Sequence, residues 1–254
     1  MIVVAARPSM GKTSFAMNIV ENIAIDAEKP VPVAVFSLEM SAEALVQRLL
    51  CSRAEVEMQK LRGGFLSQTR DFPRLMDAAN KLGQSQIFID DTPALTIMEM
   101  RAKARRLKKA HYIQLIAIDY LQLLRSPSRK SQDSRQIEIA EISSGIKSLA
   151  KELNIPIIVL AQLNRNPDSR GGGKPRMSDL RESGSIEQDA DVVALLVREE
   201  YYAEDEDERE EKQGRAELII AKQRNGPTGE AKLSFVKQWM RFGDRAFDDD
   251  ADGF

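Results

Sequence analysis

Short apolar runs alternate along this chain with longer segments in which apolar residues recur at helical spacing. The apolar runs predict strands at residues 2–6, 33–38, 87–90, 113–119, 155–161, 191–197, 216–221 and 232–236. The periodic segments predict helices after residue 13, after residue 41 and over residues 71–82, 96–109 and 135–153. Because strands and helices alternate, the pattern predicts an α/β fold in which a mostly parallel sheet is flanked by helices. The last two apolar runs enclose a glycine-containing turn and predict a C-terminal hairpin.

The composition is ordinary for a globular protein and argues against several kinds of chemistry. The 254 residues are 43% hydrophobic and 30% charged, with a formal net charge of −2. Cys51 and His111 are the only residues of their types, so we expect no disulfide framework, thiolate metal site or Ser-His-Asp triad. No apolar stretch is long enough to span a membrane and no signal peptide is recognisable, so a cytoplasmic protein is expected. With so small a net charge, nucleic-acid binding would require a local patch.

The loop between the first strand and the first helix carries the strongest chemical signal. Residues 6–13 match the phosphate-binding pattern G-x-x-x-x-G-K-[ST] except at the first position, where Ala6 replaces glycine. In such a loop backbone N–H groups cradle phosphate oxygens, Lys12 reaches the terminal phosphates and the Thr13 hydroxyl binds Mg²⁺. The alternative is an ordinary turn between strand and helix. We expect ATP and Mg²⁺ as ligands, and the predicted binding residues of this loop are Ser9, Gly11, Lys12, Thr13 and Ser14.

Polar side chains end three of the predicted strands. They are Glu39, Asp119 and Gln162, and the carboxyl ends of parallel strands meet at one edge of a sheet. In one crevice with the phosphate-binding loop, Asp119 could order Mg²⁺, Glu39 could orient the attacking water and Gln162 could sense the γ-phosphate. The alternatives are a turn residue for Asp119 and a residue preceding a helix cap for Glu39. Arg48, on the following helix, is either a nucleotide contact or a solvated residue.

Basic residues are concentrated in two further places. Lys222 and Arg224 follow the strand at 216–221 and lie on one face of it, either as an arginine finger or as charges that guard an edge strand. The loop 176–184 contains two arginines and a glycine and could track a phosphate backbone or face solvent. The acidic run at 204–211 predicts a solvated excursion.

Together these segments resemble the C-terminal ATPase domain of the bacterial replicative DNA helicases, the DnaB family. The matching motifs recur in family order across nearly the whole chain. They are residues 5–13, 36–41, 118–123, 135–143, 160–165, 178–191 and 221–229. The resemblance implies a RecA-like P-loop NTPase fold, with residues 1–254 forming one ATPase domain. We expect the chain to lack the family's N-terminal helical domain and linker helix, which would precede Met1.

The resemblance also implies an ATP-driven DNA helicase that translocates 5′ to 3′ on single-stranded DNA as a homohexameric ring, with primase and a helicase loader as partners. Arg48 would contact nucleotide, and Lys222 and Arg224 would reach the site of the neighbouring subunit. The residues implied to act in catalysis are Lys12, Glu39, Asp119, Gln162 and Arg224; Thr13 and Asp119 would hold Mg²⁺, and Arg181, Glu182 and Gly184 would grip DNA. Two other functions stay open: another RecA-type ATPase, such as a recombinase or clock-type kinase, and an assembly or loader-docking module that binds nucleotide without productive turnover.

Overall fold

The computed structural model of the protein describes residues 1–126, 134–163, 174–180, 184–203 and 205–245. Its strands are β1 Ile2–Ala6, β2 Val33–Ser37, β3 Ile87–Asp90, β4 Leu115–Asp119, β5 Ile157–Gln162, β6 Val192–Arg198, β7 Arg215–Gln223, β8 Gly229–Val236 and β9 Arg241–Asp244. Within the described residues they form a nine-stranded sheet in the order β3-β2-β4-β5-β1-β6-β7-β8-β9. The strands from β3 to β6 are mutually parallel, whereas β7, β8 and β9 continue the sheet in antiparallel fashion.

Helices cover both faces of this sheet. They are α1 Lys12–Glu21, α2 Ala42–Ala54, α3 Met58–Gly63, α4 Asp71–Gln84, α5 Ile97–His111, α6 Arg135–Leu153, α7 Gly184–Asp189 and α8 Glu206–Glu211. Shorter helical turns lie at Asn22–Asp26, Leu121–Leu123, Met177–Asp179 and Glu199–Tyr202. Side-chain caps fix two of the starts: Ser41 accepts a hydrogen bond from the Ala44 N–H, and Thr96 forms a capping box with Glu99.

Two apolar layers enclose the central strands because successive strand residues point to opposite faces. On one face Val3, Ala5 and their counterparts in β4 and β5 pack against α5 and α6. On the other face Val4 and Ala6 pack with residues of α1 and α2. The second layer also contains the β8 and β9 residues Phe235 and Phe242, so the C-terminal hairpin lies beside α1.

The predicted fold class is confirmed, and the differences concern the ends of elements. Strands β4 and β5 begin two residues later than predicted, because Ile113 and Ile155 are buried without joining the strands. The acidic run contains the exposed helix α8, and β9 was not predicted. No helix in the described part of the chain is both long and apolar enough to cross a membrane.

Candidate nucleotide-binding site

The phosphate-binding loop connects β1 to α1 in the way its sequence predicts. Gly11 has a φ of 90°, a left-handed conformation that favours glycine, and a Cβ at this position would lie 3.1 Å from the Phe242 ring. Ser9 is also left-handed, with a φ of 68°. Helix α1 begins directly after Gly11 with no side-chain cap. Its first-turn N–H groups are therefore available to an anion at the positive end of the helix.

Thr13 and Asp119 meet across the loop and form an oxygen-donor pair. The Thr13 hydroxyl donates a hydrogen bond of 2.7 Å to Asp119 Oδ2. Asp119 is only 4% exposed, and its Oδ1 has no hydrogen-bond partner among the described residues. Burial raises the pKa of the Asp119 carboxyl, although the Thr13 hydrogen bond and the Lys12 charge oppose this effect. A hydroxyl and a carboxylate with a free oxygen fit Mg²⁺, which prefers oxygen ligands and keeps several waters.

Lys12 is a buried cation at the start of α1. Its side chain is 8% exposed, and its ammonium lies 4.6 Å from the centre of the Tyr120 ring. Burial lowers the pKa of Lys12, and the negative charges of Asp119 and Glu39 only partly compensate. No carboxylate of the described residues lies within ion-pairing distance of the ammonium. A phosphate group would supply the missing counter-charge.

Glu39 lies on the turn that follows β2, directly beside Asp119. Strand pairing places Ser37 opposite Asp119, and the Leu38 N–H donates a 2.7 Å hydrogen bond to the Asp119 carbonyl. The Ser37 hydroxyl donates a 2.6 Å hydrogen bond to the Met40 carbonyl and so closes the turn. Glu39 itself is exposed and lines the cleft above the phosphate-binding loop. The turn thus presents a solvated carboxylate to the same cleft as Lys12.

Gln162 ends β5 at the edge of the same cleft, and a second glutamine holds its backbone. The Gln122 side chain donates to the Gln162 carbonyl at 3.2 Å and accepts from the Gln162 N–H at 3.3 Å. Gln122 belongs to the helical turn that follows β4, so it connects the segment after Asp119 with the end of β5. Gln122 was not predicted from the sequence, because this pairing joins residues 40 positions apart.

These residues surround one cleft of about 470 Å³, a volume within the usual range for small-molecule sites. The predicted residues that line it are Ser9, Gly11, Lys12, Thr13, Ser14, Glu39, Arg48 and Gln162. Burial lowers the pKa of Arg48, and the charges of Asp119 and Glu39 oppose the shift. The cleft is also lined by residues that were not predicted from the sequence: Arg198, Phe235, Lys237 and Met240. Arg198 ends a parallel strand, as Asp119 and Gln162 do, so the same signal would have identified it.

Lys222 and Arg224 lie away from this cleft. Strand β7 runs antiparallel to β6, and Gln223 pairs with Val192 at the amino end of β6, whereas the phosphate-binding loop follows the carboxyl end of β1. The Lys222 ammonium donates hydrogen bonds to the carbonyls of Glu187 at 2.5 Å and Ala190 at 2.9 Å. Arg224 donates to a third carbonyl of the same helical end, at 3.1 Å. Neither side chain lines the nucleotide cleft of its own chain.

The predicted DNA-binding residues are only partly described. Arg181 and Glu182 lie outside the described residues, and Gly184 is the exposed first residue of α7. Their assignment to DNA stays a prediction.

Comparison with known proteins agrees with these motifs. The model of the family described as DnaB-like helicase C terminal domain matches residues 1–244. The replicative DNA helicase DnaC of Bacillus subtilis (strain 168) is 50% identical over 251 residues, which cover 98% of this chain and 54% of that helicase. The replicative DNA helicase DnaB of Geobacillus stearothermophilus is 48% identical over 242 residues, covering 95% and 52%. The chain thus spans about half the length of these curated relatives.

Solved structures give the same picture of the fold. A structure of a DnaB-like replicative helicase and its interactions with primase aligns with a TM-score of 0.86 and 36% identity, covering 96% of this chain and 57% of that chain. A second solved structure, of an isolated ATPase domain, aligns with the same TM-score and identity and is covered over 84% of its length. The RecA-like architecture expected from the sequence is confirmed.

Proposed function

We propose that this chain, which belongs to the family of DnaB-like helicase C-terminal domains, is the ATP-hydrolysing motor domain of a replicative DNA helicase. One observation carries the proposal. A phosphate-binding loop, two carboxylates and a glutamine come together at the carboxyl edge of the sheet. The fold alone would not suffice, because one fold hosts many activities. Relatives named as helicases favour this function over a recombinase or a clock-type kinase.

In this proposal the loop binds the phosphates of ATP and the pair at its rim holds Mg²⁺. The unpaired ammonium of Lys12 neutralises the terminal phosphates, and the uncapped start of α1 offers its N–H groups. Ser9, Gly11 and Ser14 shape the same cradle. The Thr13 hydroxyl binds Mg²⁺ directly, and Asp119 supports the ion through water with its free Oδ1. A bound Mg²⁺ supplies positive charge to the phosphates during transfer.

Glu39 and Gln162 then have separate roles on the γ-phosphate side. Glu39 is exposed to the cleft, so its carboxylate orients the attacking water and accepts its proton. Gln162 senses the γ-phosphate, and Gln122 keeps its backbone in place. Arg48 contacts the nucleotide from α2, where its burial favours a partner of opposite charge.

Lys222 and Arg224 act on the nucleotide of a neighbouring subunit. They lie at the opposite edge of the sheet from their own phosphate-binding loop, so contact with a nucleotide requires a second copy of the chain. Arg224 is half exposed in this chain and is therefore accessible to such a neighbour. Repetition of this contact around a homohexameric ring gives one ATP at each interface, with Arg224 as the arginine finger.

The loop 176–184 is proposed to hold single-stranded DNA in the channel of the ring through Arg181, Glu182 and Gly184. Successive hydrolysis would move the ring 5′ to 3′, with residues 1–254 as one ATPase domain working in the cytoplasm. A related helicase has been described with its interactions with primase, which makes primase a candidate partner. A helicase loader is a second candidate partner.

The test is ATP turnover per subunit as a function of protein concentration, with and without single-stranded DNA. Turnover that rises steeply with concentration, is stimulated by DNA and collapses in Arg224→Ala would support a motor with shared sites. Arg215→Ala is the matched control, because Arg215 begins the same strand at its other end. Concentration-independent turnover that Arg224→Ala leaves unchanged would contradict the shared site. Nucleotide binding without turnover under all these conditions would favour the assembly or docking module instead.

A further inference from the structure

A buried arginine beside the phosphate-binding loop has no role in the function proposed above. Arg198 is the last residue of β6 and is only 5% exposed. Its guanidinium lies 4.9 Å from the centre of the Tyr201 ring and 4.3 Å from the centre of the Phe235 ring. Its Nε is buried without a hydrogen-bond partner among the described residues. Burying a charged group is costly unless other groups compensate, so the contacts that it does make are informative.

One of these contacts is with the phosphate-binding loop itself. Arg198 Nη1 donates a hydrogen bond of 3.4 Å to the carbonyl of Ser9, the residue in a left-handed conformation. Nη2 donates to the Glu200 carboxylate, which also accepts from the Gly214 N–H at 3.3 Å. A chain of hydrogen bonds therefore runs from the start of β7 through Glu200 and Arg198 to the loop.

The other flank of the loop is held by the same turn. The Arg7 guanidinium lies 5.0 Å from the centre of the Tyr202 ring. Tyr202 and Glu200 both belong to the single helical turn Glu199–Tyr202 that follows Arg198. A turn of four residues thus contacts the loop on both sides of Pro8.

We propose that Arg198 is a positioning residue for the phosphate-binding loop, oriented by Glu200. By binding the Ser9 carbonyl, Arg198 keeps this oxygen away from the phosphates and leaves the neighbouring N–H groups directed at them. A loop that presented the carbonyl instead would place a negative partial charge against an anionic ligand. The inference rests on the proposed function, because it assumes that this loop binds a nucleoside triphosphate.

Two variants and a matched control test this role. Glu200→Gln weakens the carboxylate partner of Arg198, and Arg198→Met removes the donors while keeping an apolar side chain between the two rings. Glu199→Gln is the control, because Glu199 is the adjacent carboxylate of the same turn and pairs with Arg245 at 3.7 Å. Each protein is measured for its Kd with a fluorescent, non-hydrolysable ATP analogue in Mg²⁺, for kcat and KM of ATP turnover, and for its Tm.

We expect Arg198→Met to raise the Kd and KM by about tenfold or more, and Glu200→Gln by about threefold to tenfold, as for hydrogen bonds to charged groups. The kcat should stay within about twofold, because the lost contact supports ground state and transition state alike. Glu199→Gln should match the parent. If Arg198→Met fails to fold, Glu200→Gln alone decides.

Unchanged Kd in both variants, or an equal change in Glu199→Gln, would overturn the positioning role while leaving nucleotide binding intact. A parent chain that binds no analogue would overturn the proposed function, and this inference with it.

Discussion

Removing the Thr13 hydroxyl should destabilise the nucleotide-free chain. This hydroxyl donates a 2.7 Å hydrogen bond to Asp119, whose carboxylate is 4% exposed and has its other oxygen unpaired among the described residues. Thr13→Val keeps the shape of the side chain and removes the donor. Hydrogen bonds to charged groups contribute about 1.5–3 kcal/mol, so we expect a loss of about 2 kcal/mol in the free energy of unfolding. For a chain of this size, that loss lowers the Tm by about 4–8 °C.

The loss should become smaller as the pH falls. Burial already raises the pKa of Asp119 above its ordinary value of 3.8, and removal of the donor raises it further. A carboxyl with a raised folded-state pKa binds more protons in the folded than in the unfolded state. Its burial penalty is therefore fully present above the folded-state pKa and is relieved as the pH falls through that pKa toward 3.8. The variant has the higher pKa, so its relief begins at a higher pH than in the parent.

The assay is thermal unfolding, followed by circular dichroism from about pH 8 downward without nucleotide or metal. Thr13→Ser retains the hydroxyl and is the matched control. Equal Tm values for the valine and serine variants at about pH 8 would refute the energetic role of the hydrogen bond. A gap between them that does not change with pH would refute its electrostatic origin.

Two further substitutions test other parts of the structure. Gln122→Met removes both hydrogen bonds to the Gln162 backbone, and we expect DNA-stimulated ATP turnover to fall about tenfold with an unchanged Kd for ATP; full stimulation in steady-state kinetics would exclude a positioning role for Gln122. Thr96→Ala removes the N-cap of α5, so we expect urea denaturation to show a loss of about 1 kcal/mol that Thr96→Ser largely restores, and a loss as large in the serine variant would argue against the cap.

Residues that follow parallel strands were predictable from the sequence. Glu39, Asp119 and Gln162 could be placed at one edge because every parallel strand ends there, whatever the order of the strands. Ile113 and Ile155 show the limit of the same reasoning, since an apolar run records burial and not hydrogen bonding to a neighbouring strand. Strand β9 is four residues long and contributes one buried side chain, Phe242, which is too short a pattern to predict a strand.

Contacts between distant segments could not be predicted in this way. The hydrogen bonds from Gln122 to Gln162 and from Arg198 to Ser9 depend on which strands are neighbours and on the path of each turn. The edge at which Arg224 lies depends on the direction of β7 relative to β6, and a hairpin pattern fixes only β7 relative to β8. The sequence therefore indicated the basic strand end without its place in the fold.

The reversal of strand direction between β6 and β7 also limits the symmetry of any assembly that shares the proposed site. The phosphate-binding loop and Arg224 are at opposite edges, so a shared site joins two different surfaces of two identical chains. Such a contact is heterologous and cannot be satisfied by a two-fold dimer, in which both partners use the same surface. Each added chain leaves one loop and one arginine unpaired at the two ends. Only closure of the series, or its continuation as a helix, can pair them, and the rotation between neighbours decides which of the two forms.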